Sequence, residues 1–268
     1  MRIYTLGTGH GDSTFSRFNS STAYEAADGT LYLVDAGEPV EALIRRKGLE
    51  AKNIRAVFIT HMHGDHAGGL MCLIKQIIKY SPRHGRDFPM TVHFPEAAAI
   101  EPLKGWIRAV HEDPDSEYLE YKSFEDGLVY EDDNISVTAH RTAHLRTRGR
   151  TDGDPCSFSF VLHFKKEDRT ILHTGDLRGD FSDFPKVASE MHFDACICEA
   201  THYQPETAMP KLMASKFDRL IFSHIADRWH IHIYKAWEVE NGEKALLKCC
   251  EALPYPVVVA HDGDEFLI

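Results

Sequence analysis

Short apolar runs alternate along the chain with segments in which apolar residues recur at helical spacing. Residues 56–59 are continuously apolar, which is typical of a strand buried on both faces of a mixed or parallel sheet. Residues 70–80 carry apolar side chains three and four positions apart, which predicts a helix that Pro82 ends. The alternation of both patterns predicts an α/β fold.

Other elements follow from the same patterns. Asp28-Gly29 separates two strand-like segments, 20–25 and 31–35, which predicts a β-hairpin. Further strands are predicted at residues 90–94, 118–124, 128–130 and 134–140, and helices at 41–47 and 95–110. Because we find no internal repeat and no linker, we expect residues 1–268 to form a single domain.

Composition and charge narrow the classes of partner. The chain is 43% hydrophobic and has 30 basic against 41 acidic residues, a net charge of −11. This charge disfavours a long nucleic acid but leaves room for a local basic patch that binds a small anionic substrate. Met1 leads directly into a strand-like run, without the apolar region of a signal peptide. No apolar stretch approaches the roughly 20 residues that span a membrane. The six cysteines lack the spacing of a disulfide framework, which favours a reducing compartment. We therefore expect a cytoplasmic protein without a membrane partner, and a homodimer is compatible with the sequence.

Four side chains that can bind metal follow the apolar run at 56–59 within six positions. They are His61, His63, Asp65 and His66. Imidazole nitrogens and a carboxylate suit zinc and neighbouring divalent metals, and a strand end is where α/β folds build their sites. Burying these polar groups without ligands would be costly, so we interpret the cluster as a metal site and not as part of the core.

This cluster is similar to the His-x-His-x-Asp-His signature of the metallo-β-lactamase superfamily. The Gly-rich loop at residues 7–12 and the Glu-Ala-Thr at 199–201 resemble its ribonuclease Z and phosphodiesterase branch. The resemblance implies a four-layer αββα sandwich. It also implies that Asp35, in the Asp-Ala-Gly that closes the hairpin, supports the metal-binding loop through hydrogen bonds.

The resemblance assigns the remaining ligands to later strand ends. His144, in the loop after the strand at 134–140, is the next candidate, with His140 as its rival. Asp176 corresponds to the carboxylate that bridges two ions. His224 corresponds to the last ligand, with His261 as its rival.

The implied site holds two divalent ions, zinc in the first instance, with manganese or iron as alternatives. The resemblance divides seven ligands into two sets with a shared carboxylate: His61, His63 and His144 for one ion, Asp65, His66 and His224 for the other, and Asp176 between them. Such a pair of ions lowers the pKa of a bridging water toward 7, and the resulting hydroxide attacks the substrate.

Two further side chains are assigned to proton transfer. Asp65 is expected to hold the attacking water and to move its proton. In the ribonuclease Z branch a Glu orients a catalytic His that lies well downstream. Between Glu199 and His224 this chain has only His202. We therefore predict that Glu199 is structural and that His202 takes the place of the downstream His as the proton donor.

A basic loop follows the strand at 134–140. It contains Arg141, Arg146, Arg148 and Arg150. One interpretation is an anion clamp in which Arg146 and Arg148 bind the phosphate of the substrate. The other is a solvated loop with surface ion pairs of about 0–1 kcal/mol each.

The sequence thus favours a metal-dependent hydrolase, a dinuclear zinc phosphodiesterase acting on a small phosphodiester such as a cyclic nucleotide. Hydrolysis of another ester or lactone, a redox role with iron and a non-catalytic metal-binding scaffold are alternatives. A tRNA 3′-processing endonuclease is a further alternative, although we find no Gly/Pro-rich insertion that could form a tRNA-binding arm.

Overall fold

Two large β-sheets form the centre of the protein, which we describe from a computed structural model covering residues 1–12, 14–80, 82–145, 156–226 and 239–268. The strands are β1 (Arg2–Gly7), β2 (Ser21–Glu25), β3 (Leu31–Val34), β4 (Ile54–Phe58), β5 (Met90–Phe94), β6 (Leu119–Ser123), β7 (Gly127–Glu131), β8 (Ile135–Thr142), β9 (Ser157–Phe164), β10 (Arg169–His173), β11 (Ala195–Ala200), β12 (Leu220–Ile225), β13 (Val257–Val259) and β14 (Asp264–Leu267). The helices are α1 (Val40–Lys47), α2 (Gly64–Ala67), α3 (Leu70–Ile77), α4 (Ile100–Ala109), α5 (Val187–Glu190), α6 (Pro205–Ala214) and α7 (Val239–Cys249), with 3₁₀ turns at Ala51–Asn53, Pro82–His84 and Ala97–Ala99.

Within the described residues each sheet has seven strands, and the two sheets have the same internal plan. The first runs in the order β14-β1-β2-β3-β4-β5-β6 and the second in the order β13-β12-β11-β10-β9-β8-β7. From β3 to β6 and from β10 to β13 neighbouring strands are parallel, whereas the other neighbours are antiparallel. The carboxyl ends of parallel strands lie at one edge of a sheet, so each sheet has one edge suited to a site.

Three layers of apolar side chains hold the elements together. Ile44 of α1 and Leu73 of α3 pack on the outer face of the first sheet, and Leu212 of α6 and Leu246 of α7 pack on the outer face of the second. Between the sheets lies a third layer that includes Phe58. Helices therefore cover both outer faces of a pair of packed sheets, which confirms the predicted four-layer αββα sandwich.

Burial alternates along single strands as this architecture requires. In β11, Cys196 and Cys198 face the helices whereas Ala195 and Ile197 face the other sheet. Side chains of a strand point alternately to its two faces, so a strand covered on both sides is apolar throughout. The parallel neighbours of β4 confirm the interpretation of residues 56–59 as a strand of a mixed sheet.

Two elements differ from the sequence-based expectation. The strand β14 pairs antiparallel with β1 although no strand was predicted at 264–267. The short helix α2 begins at Gly64, inside the histidine cluster, where a loop was expected. In the described parts of the chain, no helix combines the length and the apolar character needed to cross a bilayer.

Candidate metal centre

The histidine cluster lies between the end of β4 and helix α2, and a buried carboxylate holds it in place. Asp35, which follows β3, accepts hydrogen bonds from the Thr60 amide at 2.8 Å and the Thr60 hydroxyl at 3.0 Å. Its other oxygen, Oδ2, lies 2.7 Å from His66 Nδ1. Asp35 and His66 are both almost fully buried. Asp35 therefore supports the loop through hydrogen bonds, as the resemblance implied, and it also orients the His66 ring.

The first group of possible ligand atoms joins both sheets. It consists of His61, His63, His144 and Asp176, whose ligand atoms lie within 4.8 Å of one another. Asp176 Oδ2 lies 3.5 Å from His61 Nε2 and 3.5 Å from His144 Nε2, and His61 Nε2 lies 2.9 Å from His63 Nδ1. The structure thus places His144, which comes much later in the sequence, next to His61 and His63.

The second group consists of Asp65, His66 and His224. Asp65 Oδ2 lies 3.3 Å from His66 Nε2 and 3.2 Å from His224 Nε2. Asp176 Oδ1 lies 3.4 Å and 3.5 Å from the same two nitrogens. The two oxygens of Asp176 therefore face different histidine pairs, one in each group.

The protonation pattern of the second group fits a cation. His66 Nδ1 donates to Asp35, and His224 Nδ1 lies 3.1 Å from Thr201 Oγ1, whose own hydroxyl donates to the His224 carbonyl. In their neutral forms both rings then carry their proton on Nδ1, and both Nε2 atoms present lone pairs. These two Nε2 atoms lie only 3.2 Å apart. Facing lone pairs repel each other unless a positive charge lies between them, so this donor set suits a metal ion.

The electrostatics of the centre also favour metal binding. Burial lowers the pKa of His63 to about 4, and neighbouring His144 adds to this effect. Burial opposes ionisation of Asp176, yet the nearby His224 and His66 hold the pKa of that carboxyl well below its usual value. Burial likewise opposes protonation of His66, but Asp176 and Asp35 outweigh it and raise the His66 pKa. Ionised carboxylates thus create a negative potential in which a cation is favoured.

His202 lies next to these groups and is oriented by Glu199. His202 Nδ1 lies 2.7 Å from Glu199 Oε2, which also accepts from the backbone amides of Thr201 and His202. His202 Nε2 points toward the centre, 3.8 Å from Asp176 Oδ2. Burial would lower the pKa of His202, but the hydrogen bond and charge of Glu199 raise it to about 9. His202 also forms a further group of possible ligand atoms with Asp176, Glu199 and His224. The raised pKa favours the protonated ring, which donates hydrogen bonds and does not bind a metal ion.

The rival histidines lie elsewhere. His140 lies on β8 in register with Ser159, because β8 continues to Thr142 and keeps this side chain on the sheet. His261 is exposed and its Nε2 lies 2.8 Å from Glu243 Oε1. Neither belongs to a group of ligand atoms found in the described residues. Arg146 and Arg148, the predicted phosphate-binding residues, lie outside the described residues, so their role stays a prediction.

Some contributions were not predicted from the sequence. Thr201 orients His224 across the β11–β12 pair, and only the register of these strands brings the two together. Gly37 has no room for a side chain, since a Cβ there would lie 2.2 Å from the Asp65 carbonyl oxygen. Sequence signals existed for both residues, because Gly37 belongs to the Asp-Ala-Gly at 35–37 and Thr201 to the Glu-Ala-Thr at 199–201. Neither signal indicated what these residues contact.

Comparisons with known proteins agree with this geometry. A family model described as "Anti-Pycsar protein Apyc1" matches residues 1–214. Ribonuclease Z of Lacticaseibacillus casei is 33% identical over 192 residues, which make up 70% of this chain and 53% of that protein. The chain spans about half the length of these curated relatives.

Solved structures show the same fold across the whole chain. Human tRNase Z, short form, has a TM-score of 0.72 at 21% identity, with 100% of this chain and 99% of that chain covered. The metallo-β-lactamase fold protein YhfI from Bacillus subtilis has a TM-score of 0.73 at 15% identity, with 99% of each chain covered. The predicted relation to the metallo-β-lactamase superfamily is confirmed, and the chain belongs to the family described as Anti-Pycsar protein Apyc1.

Proposed function

We propose that the protein is a dinuclear zinc phosphodiesterase that hydrolyses a small phosphodiester. One observation carries this proposal: the two oxygens of Asp176 face two separate sets of histidine nitrogens, at 3.4 to 3.5 Å. A carboxylate in this position can bind two ions at once, and two-metal hydrolases hold their ions roughly 3.5–4 Å apart.

The seven predicted ligands divide between two ions in the proposed site. His61, His63 and His144 would hold the first ion, Asp65, His66 and His224 would hold the second, and Asp176 would contribute a ligand oxygen to each. Five imidazoles with two carboxylates suit zinc best, and manganese or iron can occupy the same donor set. When bound, such ions supply a water nucleophile at neutral pH and neutralise negative charge on the phosphate oxygens.

Two residues of the chain then carry out proton transfer. His66 and His224 orient the Asp65 carboxylate. Burial alone would raise the pKa of Asp65, but its hydrogen bonds to these two histidines hold the pKa well below the usual value. As an ionised acceptor it positions the attacking water and takes its proton. His202, held by Glu199, donates a proton to the leaving oxygen.

The preferred substrate is a small phosphodiester such as a cyclic nucleotide. The net charge of −11 opposes the approach of a long polyanion, and a small phosphodiester has far less charge to repel. A second candidate is tRNA 3′ processing, which the ribonuclease Z relatives favour. Precursor tRNA and cyclic nucleotides offered to the same holoenzyme distinguish the two.

The decisive experiment combines metal quantification with a panel of phosphodiesters, phosphomonoesters, other esters and lactones. We expect two metal ions per chain and turnover of phosphodiesters only. Turnover of lactones or other esters in preference to phosphodiesters would replace the proposed substrate class. Bound metal without any turnover would favour a non-catalytic scaffold.

The role of His202 has its own test. In His202→Ala we expect hydrolysis of an alkyl phosphodiester to slow by about 10²- to 10⁴-fold, because an alkoxide needs a proton to leave. A p-nitrophenyl ester, whose leaving group is stable as an anion, should lose much less. His192→Ala is the matched control, since His192 is exposed and, among the described residues, pairs only with Asp218. Equal losses on both substrates would contradict the proton-donor role.

A further inference from the structure

Two ligands of the first group lie on loops that leave strands which are not neighbours. His144 follows β8 and Asp176 follows β10, and β9 lies between these two strands. Both β8 and β10 run antiparallel to β9, so their carboxyl ends lie at the same edge of the sheet. Strands separated by one neighbour lie about 10 Å apart. Contacts outside the sheet must therefore hold the two loops together, because Asp176 Oδ2 lies 3.5 Å from His144 Nε2.

Asp183 makes such a contact between the two loops. It belongs to the loop after β10, where its Oδ1 accepts a hydrogen bond from the backbone amide of Arg178 at 3.0 Å. Its other oxygen, Oδ2, accepts from the backbone amide of Ala143 at 2.8 Å. Ala143 directly precedes His144, and Arg178 lies two residues after Asp176. One carboxylate thus closes the loop of Asp176 on itself and binds it to the loop of His144.

The same two segments meet again at the His144 ring. His144 Nδ1 lies 3.3 Å from the Leu177 carbonyl oxygen. When Nδ1 donates to this carbonyl, the neutral ring carries its lone pair on Nε2, the atom that faces Asp176. The distance between the loops therefore decides both where the His144 ring lies and which nitrogen it offers to a metal ion.

The turn that carries Asp183 is anchored from the opposite side, by the core of the second sheet. Phe181 is fully buried, and the centre of its ring lies 4.5 Å from that of Tyr203. Lys211 of α6 donates through Nζ to the carbonyl oxygens of Phe181 and Ser182 at 2.7 and 2.8 Å. Phe181 has a φ of +55°, a left-handed conformation that a bulky residue adopts only where its surroundings hold it. The core and α6 thus position Asp183 without help from the metal-binding side chains.

We propose that Asp183 is a positioning residue for the first ion, because it holds the loop of His144 at the distance from Asp176 that a metal ion requires. The inference rests on the proposed dinuclear site, since the effect is exerted on the ligands and not on the substrate. Asp183 belongs to none of the groups of possible ligand atoms found in the described residues. The two ions then depend on different carboxylates outside the ligand set, because Asp35 orients His66 of the second ion.

Asp183→Asn tests the proposal with the smallest change of shape. Asparagine has a single accepting oxygen, so it cannot accept from the amides of both Ala143 and Arg178. Loss of a group that orients a metal ligand costs about 10- to 100-fold in metal affinity. We expect a loss of this size for the first ion and a change within about twofold for the second. Competition of the purified protein with a chromogenic zinc chelator measures both affinities.

Asp180→Asn is the matched control. Asp180 lies in the same turn, and its contacts within the described residues, with Ser182 and Arg178, stay in that turn. This control should keep both zinc affinities.

A double variant identifies the ligand through which Asp183 acts. If Asp183 acts through His144, then Asp183→Asn combined with His144→Ala should bind the first ion no more weakly than His144→Ala alone. A further loss in the double variant, an equal loss of both ions in Asp183→Asn, or no loss at all would overturn the positioning role.

The wild-type protein provides a measurement that does not depend on the folding of a variant. Coupling is reciprocal, so if the hydrogen bonds of Asp183 favour zinc binding, bound zinc must favour these hydrogen bonds by the same factor. Zinc should therefore slow hydrogen exchange of the Ala143 and Arg178 amides by about 10- to 100-fold. The Asp115 amide, which donates to Asp113 in the turn after α4, should exchange at an unchanged rate. Equal exchange with and without zinc at Ala143 and Arg178 would contradict the proposal.

Activity measurements separate this inference from the proposed function. Selective loss of the first ion in Asp183→Asn supports the positioning role even if the holoenzyme hydrolyses no phosphodiester, in which case the proposed activity alone fails. If the wild-type protein binds two zinc ions and hydrolyses phosphodiesters while Asp183→Asn keeps both affinities, the phosphodiesterase stands and the positioning role is refuted. A wild-type protein that binds no metal ion refutes both.

Discussion

Replacing Asp35 by Asn tests whether a buried carboxylate outside the ligand set controls metal binding. One oxygen of Asp35 accepts from Thr60, and the other accepts from His66 Nδ1 at 2.7 Å. Asparagine has the same shape but only one accepting oxygen. If its amide group faces Thr60, two buried donors meet. If it faces His66, Nδ1 must accept, and the proton moves to Nε2, the atom that should bind metal.

The magnitude follows from these two outcomes. An unsatisfied buried hydrogen-bonding group costs about 1–3 kcal/mol, so Asp35→Asn should lower the free energy of unfolding of the metal-free protein by that amount. Loss of a residue that orients a histidine ligand costs about 10- to 100-fold in metal affinity. We expect this loss for the ion that His66 binds, and little change for the ion at His61 and His63.

Competition with a chromogenic zinc chelator measures both affinities, and urea unfolding measures stability. Asp132→Asn is the matched control, because Asp132 accepts from the hydroxyls of Tyr32 and Tyr130 and lies beside the start of β8, the end away from His144. This control should lose stability but keep both metal affinities. Unchanged zinc affinity in Asp35→Asn, or an equal loss in the control, would refute the reasoning.

Three further predictions concern acid, backbone space and metal removal. Burial lowers the pKa of His93 to about 4, below its unfolded value of about 6.5, so the unfolded chain binds the proton first and stability is lost as the pH falls from 6.5 to 4. His93→Phe should remove about 2 kcal/mol of the loss between pH 7 and pH 5 in urea unfolding, and parallel curves would contradict this. Gly175 has a φ of +57°, and a Cβ there would lie 2.9 Å from Thr60 Cβ, so Gly175→Ala should lower the free energy of unfolding by about 2–4 kcal/mol in thermal unfolding. The control Gly105→Ala has open space for its Cβ and should stabilise α4 by about 1 kcal/mol. Removing metal with EDTA should lower the melting temperature, since each ion contributes about 4 kcal/mol at a thousandfold excess over Kd, and an unchanged temperature would argue against metal binding.

Local patterns were sufficient for most strands and for the first part of the site. The strand predicted at 90–94 is β5 with the same bounds, because alternating apolar and polar residues between two prolines leave little ambiguity. The four residues of the histidine cluster were identifiable because they are adjacent in sequence and because their spacing has no structural purpose in a loop.

Features that depend on distant pairing could not be predicted. The strand β14 has only two apolar residues, Phe266 and Leu267, and exists because its backbone pairs with β1 at the opposite end of the chain. The choice between His140 and His144 depended on where β8 ends, and sequence patterns locate strand ends poorly. The support that Thr201 gives to His224 arises from a register shift between β11 and β12, which has no local signature.

The position of the ligands makes metal binding and sheet packing interdependent. His61 and His63 follow β4 of the first sheet, whereas His144 and Asp176 follow β8 and β10 of the second. His66 and His224 are divided in the same way, so neither of the two proposed ions would have a complete set of ligands within one sheet. A change that separates the sheets without touching a ligand, such as Phe58→Ala in the layer between them, should therefore weaken both metal sites, and bound metal should in turn hold the sheets together.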